Sequence, residues 1–256
     1  MKDKTIARGA GAGLRAGRGL ATSFEGEKEP ELRDRSRRGF ADSRYASEAR
    51  MLRKVGQRFH GLGWSLATSS NYSVVLSRDP LRLLITASGR DKGRLSERDL
   101  VAIDSTGHTL DDEAPRPSAE ALLHVVVAEQ PNVGAVLHTH SVWATLLSEQ
   151  YHSDGGLAVA GYEMLKGLSG VTSHEHTLWL EIFENTQNIP ELAERVRLRL
   201  ADPEQPLRHG FLIRRHGLYT WGRDLAEACR HVEAFEFLLE VVGRAASLGL
   251  GGTRTA

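Results

Sequence analysis

A short apolar run, Ala135-Val136-Leu137, leads directly into His138-Thr139-His140 and is followed by Val142 and Trp143. Apolar β-formers ahead of a His-x-His pair predict a strand that ends at a site. Residues i and i+2 of a strand point to one face, so His138 and His140 project together. Two imidazoles on one divalent ion need that arrangement, although two unrelated histidines at a strand end would share the spacing. A catalytic zinc site takes a third protein ligand and keeps one position open, so the pattern asks for a partner elsewhere in the chain.

The bulk properties narrow the setting. The 256 residues make one large domain or two small ones, long enough for a substantial core. With 33 basic and 33 acidic residues the formal net charge is zero, so no bulk field draws the chain to nucleic acid or membrane. The one cysteine, Cys229, rules out an intramolecular disulfide and fits a reducing cytoplasm. No apolar stretch approaches membrane-spanning length. Residues 1–20 carry five Arg and Lys but no apolar core like that of a secretory signal. Residues 1–45 are rich in Arg, Gly, Glu and Ser, with few large apolar side chains, and are expected to form a mobile extension. Residues 245–256 read as a frayed tail.

Along the chain, Met51, Leu52, Val55 and Phe59 recur at helical spacing and predict a helix over 47–60. Residues 74–76 and 82–86 read as paired strands with Asp79-Pro80 in the turn. The stretch from Thr86 to Gly93 has small hydroxyl residues, glycines and Lys92 after a strand, which suits a phosphate cradle or a plain turn. Residues 96–99 resemble a short helical start and 100–103 a strand. Pro117 and Ser118 open a helix reaching Gln130, with Ser118 as its N-cap or Pro117 as its first residue. Glu120 falls in the first turn, where the helix dipole favours a carboxylate, and His124 reads as a packed helix residue.

After the His-x-His strand, residues 144–150 are compatible with a helix. Glu163 and Lys166 have the spacing of a surface pair. Ser173-His174-Glu175-His176 is a second His-x-His, flanked by Thr and Ser and not by an apolar strand. Residues 189–200 form a helical pattern. Phe211-Leu212-Ile213 then repeats the logic of the first site by running into His216-Gly217, and His216 is the candidate third ligand. Glycine beside it permits close backbone approach. Residues 224–242 read as a long amphipathic helix in which His231 is structural.

Taken together, His138-Thr139-His140, His216-Gly217, Thr86-Ala87-Ser88-Gly89 and Pro117-Ser118-Ala119-Glu120 resemble the class II aldolase and adducin family over roughly residues 48–243. Ser88 to Gly93, Tyr162-Glu163-Met164-Leu165-Lys166-Gly167, Thr172 to His176 and Arg215 to Gly222 resemble its dehydratase branch. The resemblance implies an α/β fold, a three-layer α/β/α domain over residues 46–244 with a central, largely antiparallel sheet. It implies a homotetramer, often with active sites near subunit contacts. It also implies one zinc, or a similar divalent ion, per subunit on His138, His140 and His216.

The implied substrate is a sugar phosphate, 5-methylthioribulose 1-phosphate, dehydrated in methionine salvage. Such chemistry needs a base for the C3 proton and an acid for the C4 hydroxyl, and one carboxylate can serve both. Glu163 matches the dehydratase stretch and is the expected principal acid/base; Glu120 matches that of the aldolase branch. Ser70, Asn71, Ser88, Gly89 and Ser118 occupy the loops where the family binds phosphate, with Lys92 as the cation. Tyr162, Met164 and Leu165 are candidates for an apolar wall at the methylthio end. The chain departs from the aldolase pattern at Arg116, where a lysine is usual, and at Ala119, which lacks the hydroxyl of a second serine. The competing readings are a sugar-phosphate aldolase and a non-catalytic adducin-like module, the latter having no need for the three histidines.

Overall fold

Strict alternation along short strands builds a sheet with two apolar faces. In β4 (Ala135–Thr139), Val136 points to one face while Ala135 and Leu137 point to the other. In β7 (Gly210–Ile213), Phe211 and Ile213 face opposite to Leu212. Each face therefore needs a covering layer, and the helices supply both. A computed structural model describes residues 45–250 of the chain. The extension expected at 1–45 lies outside the described residues except for Tyr45, and so does the tail expected at 245–256 beyond residue 250.

The remaining strands are β1 (Asn71–Arg78), β2 (Leu81–Thr86), β3 (Leu100–Asp104), β5 (Gly156–Val159), β6 (Leu178–Phe183) and β8 (Gly217–Gly222). They form one eight-stranded sheet in the order β3-β2-β1-β4-β8-β7-β6-β5. Every neighbouring pair is antiparallel except β6 and β7, so the largely antiparallel sheet expected from the family is what the chain builds. Helices α2 (Ala121–Ala128) and α4 (Ile189–Leu200) pack on the face carrying Val136, Phe211 and Ile213. The other face is covered by α1 (Ala46–Gly61), α3 (Val142–Gln150) and α5 (Leu225–Ser247). Among the described residues, no helix is long and apolar enough to cross a membrane.

Several boundaries differ from the sequence reading: β1 covers Asn71–Arg78 and not only 74–76, α2 ends at Ala128 before the expected Gln130, and α3 starts at Val142 ahead of 144. Helix α2 starts at Ala121, not at Ser118, and its N-cap is Glu120. The preceding residues are drawn to the sheet instead, since Pro117 bridges to Ala87 and Ser118 hydrogen-bonds the side chain of Asn71. Helix α5 continues five residues past Val242, to Ser247. Strands β5, β6 and β8 were not among the expected strands: β5 is four residues long and β8 mixes Gly, Thr, Tyr and Trp, whereas β6, Leu178–Phe183, carries an apolar run that could have announced it.

Phe235, on α5, is 1% exposed and closes against β7, where a Cβ on Gly210 would lie only 3.1 Å from its ring. Phe235→Ala is expected to cost about 3–5 kcal/mol, read from the shift of the urea unfolding midpoint.

Candidate active site

The pairing of β4 with β8 sets the site. His138 lies opposite Tyr219, and their rings stack with centroids 4.0 Å apart. The β7–β8 turn then brings the third histidine back, with Arg215 in the left-handed region at φ 52° and His216 N–H bonded to Ile213 O. Gly217 makes this possible: a Cβ there would meet the carbonyl of Thr139 and lie 3.0 Å from the His138 ring. No side chain fits in that gap.

The three rings converge on one point. His138 Nε2 lies 2.7 Å from His140 Nε2 and 3.3 Å from His216 Nε2. Among the described residues, this is the one group of three whose ligand atoms all lie within 4.8 Å of one another. His138 Nδ1–H donates to the carbonyl of Leu218 at 2.9 Å, which leaves the Nε2 lone pair for an ion, as an oriented metal ligand requires. Burial pushes the His138 ring well below its ordinary pKa, and pushes His140 down to about 3 with help from His216 and Lys92. Rings held neutral are rings in ligand form, so the donor set fits a divalent transition metal.

Glu120 completes the cluster. Its carboxylate lies 3.5 Å from His138 Nε2 and 3.3 Å from His216 Nε2. It also accepts a hydrogen bond of 2.7 Å from the Asn71 amide. A cleft of about 530 Å³ opens beside it, lined by Ser70, Asn71, Ser88, Gly89, Lys92, Ser118, Glu120, His140 and His216. All six residues expected at the phosphate thus sit together. Lys92 is buried at 1% exposure, and burial lowers its ammonium pKa to about 8. Ser70, at φ 68°, and Gly89, at φ 69°, hold left-handed backbone at the cleft. Asn71 is committed elsewhere, because its amide donates to Ser118 as well as to Glu120.

Glu163 is placed differently. Its side chain is 70% exposed, pairs with Lys166 and with His174 at 3.1 Å, and is not among the residues lining the cleft. The hydrogen bond from Lys166 is the main cause holding its carboxyl below the usual range. The second His-x-His contributes His174 to that surface pair and, among the described residues, forms no three-residue metal cluster. Of the apolar wall residues, Leu165 is spent in the core, Tyr162 packs partly against it, and Met164 is 37% exposed. His231 is structural, donating to Trp221 O and accepting from Ser169.

Several site residues went unread in the sequence. Thr139, between the two ligands, donates to the buried Glu236 of α5 at 2.7 Å. Asn185, Thr186 and Gln187 line the cleft just before α4, and their polar composition alone gives no signal. Gly217→Ala and His216→Ala are each expected to abolish stoichiometric binding of a divalent metal ion, measured by elemental analysis of the purified protein. One firmly held ion per chain in either variant would contradict this geometry.

The model of the class II aldolase and adducin N-terminal domain matches residues 50–242. A methylthioribulose-1-phosphate dehydratase from Marinobacter nauticus is 48% identical over 203 residues, covering 78% of this chain and 95% of the relative. One from Pseudomonas aeruginosa is 50% identical over 188 residues, covering 73% and 88%. Among solved structures, an L-fuculose 1-phosphate aldolase superposes with a TM-score of 0.65 at 23% identity, covering 80% of this chain and 88% of that one. The aldolase of the same name from Thermus thermophilus gives 0.60 at 22% identity, covering 80% and 98%. These two superpositions speak for the fold, and the sequence matches go further: the chain belongs to the class II aldolase and adducin family.

Proposed function

We propose that this chain is a metal-dependent hydro-lyase of the cytoplasm. It removes water from 5-methylthioribulose 1-phosphate to give 2,3-diketo-5-methylthiopentyl 1-phosphate in methionine salvage. The observation that carries the reading is the convergence of three imidazoles and Glu120 at the mouth of a cleft furnished with hydroxyls, a glycine and a buried lysine. The dehydratase name of relatives near 50% identity supports the substrate. The retained ligand set argues against a non-catalytic module.

A divalent ion on His138, His140 and His216, which we take to be zinc, supplies Lewis acidity toward the carbonyl and hydroxyl oxygens of the substrate. The chain's own groups do the rest. Ser88, Gly89, Ser118 and Lys92 hold the phosphate, with Lys92 as its cation. Glu120, beside the ring nitrogens, accepts the proton of the substrate hydroxyl nearest them. Glu163 takes the C3 proton, the electron pair left behind gives an enediolate, and the C4–O bond breaks. The same proton leaves with the C4 hydroxyl as water, Glu120 returns its proton to the oxygen it came from, and the resulting enol tautomerises to the diketone.

Glu163 must be ionised to begin, which its Lys166 partner favours. It does not line the cleft of its own chain, so we assign it to the site of a neighbouring subunit in a homotetramer. Two experiments test these statements. Zinc-loaded protein incubated with 5-methylthioribulose 1-phosphate is expected to yield a product lighter by one water with its pentulose carbons joined, read by mass spectrometry. A two- or three-carbon fragment would make the chain an aldolase. Mixing inactive Glu163→Gln with inactive His140→Ala subunits is expected to restore part of the activity, because some sites then combine an intact glutamate with intact ligands. No recovery in verified mixed oligomers would put Glu163 in its own chain's site or outside the reaction.

A further inference from the structure

Behind Glu120 runs a buried chain of side chains that the reaction above does not use. Ser73 Oγ lies 2.8 Å from His124 Nδ1, and His124 Nε2 meets Asn71 Oδ1. Asn71 Nδ2 in turn reaches Glu120 Oε2 at 2.7 Å and Ser118 Oγ at 3.0 Å. His124 is fully buried on α2, Ser73 is fully buried on β1, and Asn71 is 5% exposed. Water cannot substitute for a missing partner at such depth, so donors and acceptors must match along the whole chain.

The match fixes the protons. A carboxylate accepts only, so the Asn71 amide must turn its NH2 group toward Glu120, and its carbonyl oxygen then faces His124. That oxygen needs a donor, so His124 carries its hydrogen on Nε2. Its Nδ1 is then an acceptor, and Ser73 Oγ–H supplies the hydrogen. Burial pushes the His124 ring down to about 3, which keeps it neutral with a single N–H. Both amide hydrogens of Asn71 are used, so its side chain has none left for a phosphate.

We propose that His124 is a positioning residue for Glu120, its Nε2–H tautomer, set by Ser73, locking the Asn71 amide with one hydrogen turned on the carboxylate and the other on Ser118. Without that lock the amide can turn over, and its carbonyl oxygen would then repel the carboxylate. The role rests on the assignment of Glu120 to the reaction.

The tautomer is read first, in the unaltered zinc-loaded protein at pH 7, from long-range ¹H–¹⁵N correlations of the histidine rings. The Nε2–H pattern is expected for His124; an Nδ1–H or averaged pattern overturns the proposal. The kinetics come second. His124→Met, which cannot donate, is expected to lower kcat by about 10–100-fold with KM within about threefold and zinc content unchanged. His124→Gln places an N–H donor near the Nε2 position and is expected to recover most of that loss. Equal losses in both variants, or a loss confined to KM, would overturn the positioning role. Ser73→Ala serves if the methionine variant fails to fold, and there kcat should fall with the tautomer shifting; an unchanged tautomer and kcat overturn the role of Ser73 as the lock. Full turnover in Glu120→Gln would remove Glu120 from the reaction, a failure distinct from any change in the His124 spectrum.

Discussion

The backbone of Gly217 lies so close to the carbonyl of Thr139 that no side chain can come between them. That contact holds the β7–β8 turn down on the end of β4, and the convergence of three imidazoles depends on it. Pull the two strands apart by the width of a methyl group and His216 moves off the point that His138 and His140 share. The arrangement is therefore a property of strand pairing more than of the three rings. Ring orientation follows from main-chain groups as well, since Leu218, paired with Thr139, supplies the carbonyl that fixes His138.

Strand parity has a second effect. His138 faces the α2 and α4 layer, so Thr139 faces the α5 layer, where it meets Glu236. A carboxyl at 3% exposure costs a great deal to ionise, and burial pushes Glu236 up to about 7 despite hydrogen bonds from Thr139 and Ser141. The ligand-bearing strand is thus pinned from both sides of the sheet: by Glu120 and Tyr219 against His138 on one, and by α5 against Thr139 on the other.

Much of this was legible in the sequence. The parity of His-x-His and the apolar runs before His138 and before His216 located all three ligand candidates, because each signal is local. The layered architecture and the phosphate loops came from the family resemblance, and those loops do line one cleft. The rest was illegible for physical reasons. Strand β8 mixes Gly, Thr, Tyr and Trp and is stabilised by neighbours on both sides, not by its own pattern. The start of α2 moved because Ser118 and Glu120 bond to Asn71, 47 and 49 positions away, where no local rule reaches. His124 looked like an ordinary packed histidine for the same reason, its partners being 51 and 53 positions distant. For the two glutamates, motif and geometry point differently: the dehydratase-like stretch favours Glu163, while within one chain Glu120 is the carboxylate beside the histidines.

Lys92 is wired to the main chain. Its Nζ donates to the carbonyl of Arg90 at 2.7 Å and toward that of Thr68 at 3.4 Å, and its stem is buried. A surface lysine surrenders about 2 kcal/mol of rotamer entropy when it grips an anion. This one has given that freedom up before any anion arrives. Its charge is a stationary fixture of the cleft wall, closer in kind to a bound cation than to a reaching arm.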